Sequence, residues 1–505
     1  MKTAGLYLIL GEGIAPEVGR RVWALARTIE ASQPDWLLDW IPSYNRVFIE
    51  FDADKISCRS VIRWAKGLLP AGEEVNAARL VEVPVAYGGY DLPEVAARTG
   101  LSEGEVIKLH SGTEYRVYAV GFTPGFPFMA ELPPQLRLPR REVPRVQIPH
   151  LSVGIAGVQT GIYPQATPGG WHLLGRALER IYDPHRKAPF LLASGDRVRL
   201  IPREGKVPDP PESLELLSGD ERPVLKIVEP GLMTLLVDSG RFRQGRYGMA
   251  RSGPMDKYSH WLANAILGNS HDAPTLEFNL IAPVIEALTE VTVALAGYGP
   301  GIDGGFEAKS FYLKKGESLK LQPGVAGSRS YLAISGGFTV SKFLGSASPD
   351  LKGGVGRPLA EGDVLRARLG SRRLIARRWK QPELSIGKQI KLRIIPGPQV
   401  NDEAWESLLQ GEFVVEKADR MGVRLAGSSV PGGEVISEAI PVGAVQVPPG
   451  GKPMLLLADR GTIGGYAKPA VIHPDDLWKA GQLREGARVK FAAADGSSLL
   501  CWTEI

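Results

Sequence analysis

Apolar and polar residues follow helical and strand periods in turn over the first 86 residues. Apolar positions three and four residues apart predict amphipathic helices over 15–31 and 57–69. Short apolar runs predict four strands, at 6–10, 36–42, 46–51 and 80–85. The resulting order of strand, helix, strand, strand, helix, strand is the ferredoxin-like βαββαβ pattern. We therefore expect an α/β domain over residues 1–86.

Beyond this domain the pattern changes to short alternating runs separated by glycine and proline. The chain holds 60 glycines and 40 prolines among 505 residues, which predicts many turns and short strands. A charged or small residue, a glycine and an alternating run recur four times, at 194–200, 315–321, 361–367 and 485–491. Such repeats favour several small β-barrels over one large sheet.

A segment rich in proline and charged residues, 203–223, is the best candidate for a linker between domains. We expect one cyclophilin-like barrel before it, over 87–202, and two after it, over 224–380 and 381–505. One clear helix is predicted after the linker, near 256–267, with Asp256 as its N-cap. The predicted fold class is mainly β with an α/β N-terminal domain.

Two short helices are predicted within 91–111, with Asp91 and Ser102 as N-caps. Ser102 and Glu105 have the spacing of a capping box. A helix-turn-helix DNA reader is an alternative, but Lys108 is the only lysine or arginine of the second helix. Binding to phosphates requires more positive charge than this. A connector or a lid is the favoured interpretation.

Composition excludes several classes of protein. The chain is 44% hydrophobic and 23% charged, as is usual for globular domains. A net charge of +5 suits small anionic ligands and gives no case for nucleic acid. No apolar run is long enough to predict a membrane span, and the first ten residues are too short for a secretory signal. A cytoplasmic protein is expected.

Residues of classical catalytic motifs are scarce. Cys58 and Cys501 give no disulfide framework, so we expect two packing thiols in a reducing compartment. The seven histidines have no ligand spacing, and no metal site is predicted. P-loop, Rossmann, HExxH and Gly-x-Ser-x-Gly motifs are missing from the sequence.

Two glycine-rich and aromatic segments, 120–128 and 157–176, form the first candidate site. Aromatic walls with a few polar groups suit a small planar ligand, and backbone N–H groups of tight turns can stabilise a developing oxyanion. An aromatic core under a glycine-rich barrel corner is the alternative. The candidate binding residues are Phe122, Gly125, Gln159, Thr160, Gly161, Tyr163, Trp171 and Arg176.

Two further segments carry charged candidates. Arg241 lies in a glycine-rich stretch and could bind a carboxylate or phosphate through two parallel hydrogen bonds. Asp459 and Lys468 bracket a loop that contains Gly464 and Gly465, and a lysine beside free N–H groups is a plausible anion site. The alternative for this loop is a β-turn with a solvated lysine.

At these residues the chain resembles a known pair of families. Its first half resembles the B subunit of 5-oxoprolinase, the allophanate hydrolase subunit 1 family, through YGGYD at 87–91, GFTPGF at 121–126, GVQTGIYP at 157–164 and PGGW at 168–171. Residues 225–505 resemble the C subunit of 5-oxoprolinase, the allophanate hydrolase subunit 2 or biotin-dependent carboxyltransferase family. The shared motifs are GPMD at 253–256, LAN at 262–264, PGPQ at 396–399, RMGVRL at 420–425 and DRGTIGGYAK at 459–468.

The resemblance implies a natural fusion of the B and C subunits with tandem cyclophilin-like barrels. It implies a component of an ATP-dependent 5-oxoprolinase that opens 5-oxo-L-proline to L-glutamate with a separate A subunit, using ATP with Mg²⁺. Homo-oligomers are also possible. Alternatives are a biotin-dependent carboxyltransferase of the urea amidolyase type and a non-enzymatic histidine-kinase inhibitor. Biotin is not expected on this chain, which has no Met-Lys-Met attachment site.

The chemistry of lactam opening assigns hypothetical roles. Phosphorylation of the carbonyl oxygen needs positioned cations and N–H donors more than covalent help from the protein. We expect Lys468, Asp459 and Arg241 to be the catalytic residues, with Lys468 and Arg241 steadying a phosphoryl or carboxylate group. Trp171 and Tyr163 would wall the ring. Turns from both halves are thus expected to line one anion-holding cleft.

Overall fold

The structure is a computed structural model that describes residues 2–69, 78–217, 219–302, 308–324, 326–370, 376–384, 389–495 and 499–505. The N-terminal domain packs two helices on a four-stranded sheet of order β2-β3-β1-β32. Its elements are β1 (Thr3–Ile9), α1 (Pro16–Ser32), β2 (Leu37–Ser43), β3 (Arg46–Asp52), α2 (Cys58–Gly67) and, from the far end of the chain, β32 (Leu500–Glu504). Both predicted helices are confirmed within two residues at every end, because their apolar stripes and the Ser57 N-cap are local signals.

The fourth strand of this sheet differs from the expected one. The strand predicted at 80–85, β4 (Leu80–Tyr87), lies in the neighbouring barrel, where Val83 and Val85 are fully buried. Its place beside β1 is taken by β32, which runs parallel to β1. A strand following α2 by a crossover would run parallel to β3 and therefore antiparallel to β1. The prediction that 80–85 completes the sheet is wrong, because this strand buries its side chains in the barrel.

The two cysteines are joined across this domain. Cys58, at the start of α2, forms a disulfide with Cys501 of β32, with Cα atoms 6.9 Å apart. The expectation of two unpaired packing thiols is therefore wrong. The sequence did not predict this disulfide, because the two cysteines are 443 residues apart and come together only when β32 pairs with β1.

A closed seven-stranded barrel of order β11-β4-β12-β5-β6-β9-β8 follows. Its apolar interior is one continuous cluster. The elements after β4 are α3 (Leu92–Thr99), α4 (Glu103–Ser111), β5 (Glu114–Val120), β6 (Pro127–Ala130), β7 (Arg145–Ile148), β8 (Ser152–Ala156), β9 (Gln159–Ile162), β10 (Thr167–Gly169), β11 (His172–Ala177) and β12 (Arg197–Pro202). Strands β7 and β10 form a separate pair.

Ser102 and Asp91 both lie at the predicted N-cap positions, but only Ser102 makes a capping hydrogen bond. Ser102 and Glu105 form the expected capping box of α4. Asp91 makes no capping hydrogen bond to α3. Its carboxylate accepts instead from the backbone N–H of Leu173 (2.7 Å) and from Arg145 Nη1 (2.9 Å). The carboxylate thus joins the start of α3 to β11 through Leu173 and to β7 through the charged Arg145 side chain.

The middle domain packs a five-stranded sheet against a six-stranded sheet around one apolar cluster. Asp256 caps α5 as expected, with Oδ1 accepting from the N–H of Ser259 at 2.9 Å. The elements are β13 (Pro223–Glu229), β14 (Thr234–Val237), α5 (Lys257–Leu267), β15 (Thr275–Asn279), β16 (Val284–Ala287), β17 (Val291–Gly297), β18 (Ala308–Leu313), β19 (Ser318–Leu319), β20 (Arg329–Ile334), β21 (Phe338–Thr339), β22 (Val364–Ala367) and β23 (Arg378–Trp379).

The last barrel repeats the first in strand order and direction. Its ring runs β24-β31-β25-β26-β29-β28-β30 and closes from β30 to β24, with β27 attached to β30. In both rings the first and last strands pair in parallel. The elements are β24 (Ile390–Pro396), α6 (Asp402–Gln410), β25 (Phe413–Ala418), β26 (Gly422–Gly427), β27 (Glu434–Ala439), β28 (Ala444–Val447), β29 (Met454–Leu456), β30 (Ile463–Ile472), α7 (Leu477–Gly481) and β31 (Arg488–Ala493). Single 3-10 turns lie at Pro134–Leu136, Gly245–Tyr247 and Pro474–Asp476.

The predicted fold class is confirmed: 38% of the structure is strand and 17% is helix. The four repeated segments share one device, a glycine of positive φ shortly before a strand, at Gly195, Gly316, Gly362 and Gly486. Such a φ favours glycine, which explains why a repeat was visible in the sequence. Within the described residues, none of the helices is long and apolar enough to cross a membrane.

Candidate functional site

An aromatic cluster from the first barrel forms one part of the candidate site. Phe126 lies at its centre, with its ring 4.9 Å from that of Tyr163 and 5.6 Å from that of Trp171. Phe128 lies 4.8 Å from Phe126 on another side. These four rings are nearly buried, whereas Phe122, 5.6 Å from Phe126, is 41% exposed at the edge. Edge-to-face contacts of this kind fix the rings rigidly.

Gly161 lies directly against this cluster. A Cβ at this position would lie 3.0 Å from both the Phe126 and the Trp171 rings and 2.8 Å from the Pro127 carbonyl oxygen. Gly161 is therefore required for close approach of β9 to the rings. Gly125 is required by the adjoining turn, where it has a φ of 78° and donates its N–H to the Tyr247 carbonyl at 2.8 Å.

The turn between β2 and β3 brings the N-terminal domain to the cluster. Tyr44 in this turn is buried and stacks on Tyr118, with ring centroids 5.8 Å apart. The side chain of Gln159 donates through Nε2 to the Tyr44 hydroxyl oxygen at 2.5 Å. Gln159 thus joins β9 of the first barrel to the N-terminal domain.

Two residues beyond Tyr44, Arg46 enters a buried ion cluster of the last barrel. Lys468 Nζ lies 2.9 Å from Glu438 Oε1, and both side chains are at most 1% exposed. The other oxygen, Glu438 Oε2, pairs with Arg46 Nη1. Two cations thus share one carboxylate, which leaves the cluster with an excess of positive charge. An excess positive charge away from water favours the binding of an anion.

The PGPQ motif supports this cluster from β24. Gln399 Nε2 donates to Glu438 Oε1 at 2.7 Å, and Gln399 Oε1 accepts the backbone N–H of Lys468 at 3.0 Å. A Cβ on Gly397 would overlap the Lys468 carbonyl oxygen. The motif therefore fixes both the backbone and the ionic partner of Lys468.

Burial lowers the pKa of Lys468 below its usual value, although the Glu438 carboxylate opposes this shift. Arg46 adds to the lowering of the pKa through repulsion between the two cations. A lysine in this state gives up its proton more readily than an exposed one.

Both parts of the site meet along one interface. A Cβ on Gly121 would lie 2.6 Å from Ile463 Cγ1, so the turn before the aromatic cluster packs on the start of β30. Trp171 and Ile463 belong to one apolar cluster. Arg140 and Glu434, both partly exposed, lie 4.0 Å apart across the rim. The aromatic part of the first barrel is thus packed against the start of β30 in the last barrel. A shared anion-holding cleft at this interface stays a prediction.

Gly464 and Gly465 also lie at this interface. Gly464 pairs with Glu438 between β30 and β27, and a Cβ there would lie 2.7 Å from Ile440 Cδ1. Gly465 lies beside the Ser437 hydroxyl. Their small size lets β30 pass close behind the carboxylate that holds Lys468.

Two of the candidate binding residues point elsewhere. Thr160 is fully buried, donates its hydroxyl to the Gly154 carbonyl (3.0 Å) and contacts His110 Nε2 at 2.9 Å. Arg176 donates through Nε and Nη2 to the carbonyl oxygen of His150. The first contact lies within the barrel, and the second lies near the linker, where His150 Nε2 contacts the Pro208 carbonyl oxygen at 2.9 Å.

Asp459 belongs to a second network, between the last barrel and the middle domain. Arg420 Nε and Nη2 lie 2.8 and 3.1 Å from the two oxygens of Asp459. Arg420 also bonds the Gly253 carbonyl oxygen at 2.7 Å and pairs with Glu277. This network joins three of the motifs that carry the family resemblance, GPMD, RMGVRL and DRGTIGGYAK.

Arg241 is buried next to that network. Its Nε donates to the Phe343 carbonyl at 3.1 Å and its Nη2 to the Ser348 carbonyl at 2.9 Å. Asp459 and Asp350 act on it electrostatically. The structure therefore brings Arg241 and Asp459 toward each other, and bonds Lys468 to a separate set of partners.

Four residues of the interface were missed by sequence reasoning: Tyr44, Arg46, Glu438 and Arg140. None of them lies in a glycine-rich motif, and each contributes through a contact between distant segments. Gln399 was visible as part of the PGPQ motif, but the sequence assigned it no role. Within the described ranges, no group of three or more His, Cys, Asp or Glu side chains is arranged to hold a metal ion.

Family models match both halves of the chain. A model described as carboxyltransferase domain, subdomain C and D, matches residues 1–192, and one described as carboxyltransferase domain, subdomain A and B, matches residues 247–493. The chain belongs to the carboxyltransferase-domain family. The first matched region contains the aromatic cluster, and the second contains Glu438 and Lys468. Both matched regions therefore contribute residues to the candidate site.

Two relatives are similar to different parts of the chain. It is 41% identical to the 5-oxoprolinase B subunit of Escherichia coli O157:H7 over 216 residues, which are 40% of this chain and 98% of that protein. It is 32% identical to the 5-oxoprolinase C subunit of Escherichia coli K12 over 289 residues, 53% of this chain and 90% of that protein. The resemblance to a fusion of the two subunits is confirmed.

A solved structure of the same arrangement is also similar. The crystal structure of TTHA0988 superposes with a TM-score of 0.93 and 49% sequence identity, covering 97% of this chain and all of that one. This carboxyltransferase-domain chain therefore shares its whole architecture with a known protein.

Proposed function

We propose that the protein is a component of an ATP-dependent 5-oxoprolinase that opens 5-oxo-L-proline to L-glutamate together with a separate A subunit. One observation carries the proposal: Arg46 of the first, B-like part and Lys468 of the second, C-like part share the Glu438 carboxylate. Two regions similar to subunits of one enzyme thus build one ionic cluster in this chain.

The proposed reaction begins with transfer of the γ-phosphoryl group of ATP to the lactam carbonyl oxygen. Water then adds to the carbonyl carbon, and the C–N bond breaks as the ring nitrogen takes a proton, which leaves an acyl phosphate on the opened chain. A second water hydrolyses this acyl phosphate to glutamate and inorganic phosphate. Catalysis of such steps rests on positioning and on stabilisation of negative charge. ATP with Mg²⁺ is a co-substrate here.

The residues of the interface fit these demands. Arg46 and Lys468 together fit one anionic group, either the substrate carboxylate or the phosphoryl group. Trp171 and Tyr163 would limit the space for the flat lactam ring of the substrate. Backbone N–H groups of β9 and β30 would face the lactam carbonyl oxygen.

The catalytic role expected for Asp459 and Arg241 becomes an indirect one. Asp459 holds the turn before β30 through its pair with Arg420, and Arg241 acts on Asp459 through its charge alone. The segment expected to be a loop around Lys468 is mostly strand β30.

The test is release of glutamate from 5-oxo-L-proline and ATP by this chain with the A subunit. We expect Lys468→Ala to lower kcat/KM by about 100-fold or more, as for other lost oxyanion donors. Lys226→Ala, an exposed substitution on β13, is the matched control and should keep full activity. The proposal fails if the unchanged chain with the A subunit releases no glutamate, or if Lys468→Ala is fully active.

A biotin-dependent carboxyltransferase is the second candidate function. The descriptions of both matching family models favour it, since each names a carboxyltransferase domain. Such an enzyme would use the same cationic pair to stabilise a carboxyl group carried by a biotinylated partner chain. Transfer of labelled carboxylate from carboxybiotin to urea, with no glutamate formation, would select this candidate over the first.

A further inference from the structure

The Glu438 carboxylate is surrounded by donors from three separate segments. Oε1 accepts from Gln399 Nε2 at 2.7 Å and from Lys468 Nζ at 2.9 Å, while Oε2 accepts from Arg46. Glu438 is 1% exposed. A buried carboxylate whose two oxygens are both bonded in this way makes the groups around it rigid.

Lys468 has few other supports. Its Nζ donates to the Tyr466 carbonyl at 3.2 Å, and its backbone N–H is held by Gln399. Without Glu438, two cations would lie buried with no carboxylate between them, which is strongly unfavourable. The position of the Lys468 ammonium therefore depends on Glu438.

We propose that Glu438 is a positioning residue that fixes Lys468 and Arg46 on opposite oxygens of one carboxylate and so sets the charge that the site offers to its substrate. This rests on the proposed function for the identity of the substrate. It goes beyond it by giving a role to a residue outside the shared family motifs and by making the N-terminal domain a part of the site through Arg46.

The charged and titratable groups that face Lys468 come from three strands. Glu438 lies on β27 and Arg46 on β3, and both act directly on the lysine. Tyr7 on β1 is fully buried, feels Glu438, Arg46 and Arg460, and donates its hydroxyl to the Ala439 carbonyl at 2.7 Å. Burial raises the pKa of Tyr7 well above its usual value.

The two ionic partners act on Lys468 in opposite directions. Loss of the Glu438 charge should lower the pKa of Lys468 further, because an opposite charge is removed. Loss of the Arg46 charge should raise it, because a like charge is removed. A residue with a purely structural role would give no such pair of opposite shifts.

Three variants of the full chain, assayed with the A subunit, test this role. Glu438→Gln should lower kcat about 10- to 100-fold and move the alkaline limb of the pH profile to lower pH. Arg46→Gln should move that limb to higher pH. Gln399→Leu removes a neutral donor to the same oxygen, and it should lower kcat without moving the limb. Equal losses in all three variants with an unmoved limb would overturn the proposal.

A second measurement separates this inference from the proposed function. Because the folded pKa of Lys468 lies below its unfolded value, the unfolded chain binds more protons between the two, and stability should rise with pH in that alkaline window. Relative to the unchanged chain, this rise in Tm should be steeper in Glu438→Gln and shallower in Arg46→Gln.

If no chain releases glutamate but the Tm pattern holds, the proposed function fails and the charge-setting role of Glu438 stands. If turnover is normal and the Tm pattern is missing, the inference fails.

Discussion

Arg251 and Glu50 form a buried ion pair that joins the middle domain to the N-terminal sheet. Arg251 Nη1 lies 2.9 Å from Glu50 Oε1, and Nη2 contacts the other oxygen. Their side chains are 6% and 4% exposed. The Arg251 guanidinium also lies over the Phe242 ring, 4.7 Å from its centroid. This two-pronged contact ties together regions separated by 201 positions in the sequence.

We predict that either Glu50→Gln or Arg251→Met lowers the free energy of unfolding by about 3–5 kcal/mol, because each leaves one buried charge without its partner. The double variant Glu50→Leu with Arg251→Met should lose less than the sum of the two. Urea unfolding of all three variants measures this. The exposed pair Lys55–Asp35 is the control, and Asp35→Asn should change little. Similar losses in Asp35→Asn and Glu50→Gln would contradict the prediction.

Gly161→Ala is predicted to disturb the aromatic cluster. The added methyl group would crowd Phe126, Trp171 and the Pro127 carbonyl, and overpacking of this kind costs about 1–3 kcal/mol. We expect a lower Tm and a raised KM for 5-oxo-L-proline. Gly104→Ala, in α4 with no atom within 4 Å of the new Cβ, is the matched control and should be neutral or slightly stabilising. An unchanged KM and Tm in Gly161→Ala would contradict the prediction that the packing of β9 on the rings leaves no space for a methyl group.

The local features of the fold were predictable from the sequence. Helix α1 and the caps at Ser102 and Asp256 depend on neighbours within four residues, so their signals lie side by side in the chain. The glycine turns before β12 and β31 were visible for the same reason. The aromatic segments and the segment with Lys468 were visible as runs rich in glycine, aromatic and charged residues.

The missing part of the site depends on contacts between distant segments. Glu438 lies in an ordinary alternating strand, and nothing in its neighbours indicates a bond to Arg46, 392 residues away. The disulfide between Cys58 and Cys501 was missed for a related reason. Both follow from how whole domains pack, and periodicity reports only which face of an element is buried.

His110 should make the protein sensitive to acid. Burial lowers the pKa of His110 to about 3, and its imidazole contacts the Tyr87 hydroxyl at 2.8 Å and the Thr160 hydroxyl at 2.9 Å. Because the unfolded value is near 6.5, the unfolded chain binds more protons between about pH 3 and 6.5. Stability contributed by neutral His110 is therefore lost as the pH falls, by roughly 2 kcal/mol between pH 6.5 and 5.

The measurement is Tm from pH 7 to 5 for His110→Gln against the unchanged chain. The variant should be less stable at pH 7, because it loses the imidazole contacts, but its Tm should fall less on acidification. His185→Gln, at an exposed position, should keep the full slope. An identical slope in all three proteins would show that His110 is not a source of the acid sensitivity.

The Cys58–Cys501 disulfide should stabilise the N-terminal domain. A crosslink over a long loop typically contributes about 2–4 kcal/mol by restricting the unfolded chain. We predict that a reductant lowers the Tm of the unchanged chain, and that Cys58→Ala with Cys501→Ala shows the lower Tm with or without reductant. Mass spectrometry of non-reduced peptides should find the two cysteines joined. Free thiols at both positions in freshly purified protein would contradict this.

The pairing of β32 with β1 has a consequence for biosynthesis. Strand β1 leaves the ribosome early, yet the neighbour on one of its flanks arrives only after residues 10 to 499 have been translated. Until then that flank offers unpaired N–H and C=O groups, which invite pairing with foreign strands. The first sheet is therefore completed only at the end of synthesis. A nascent polypeptide halted before Leu500 would keep one edge of β1 unpaired and open to aggregation.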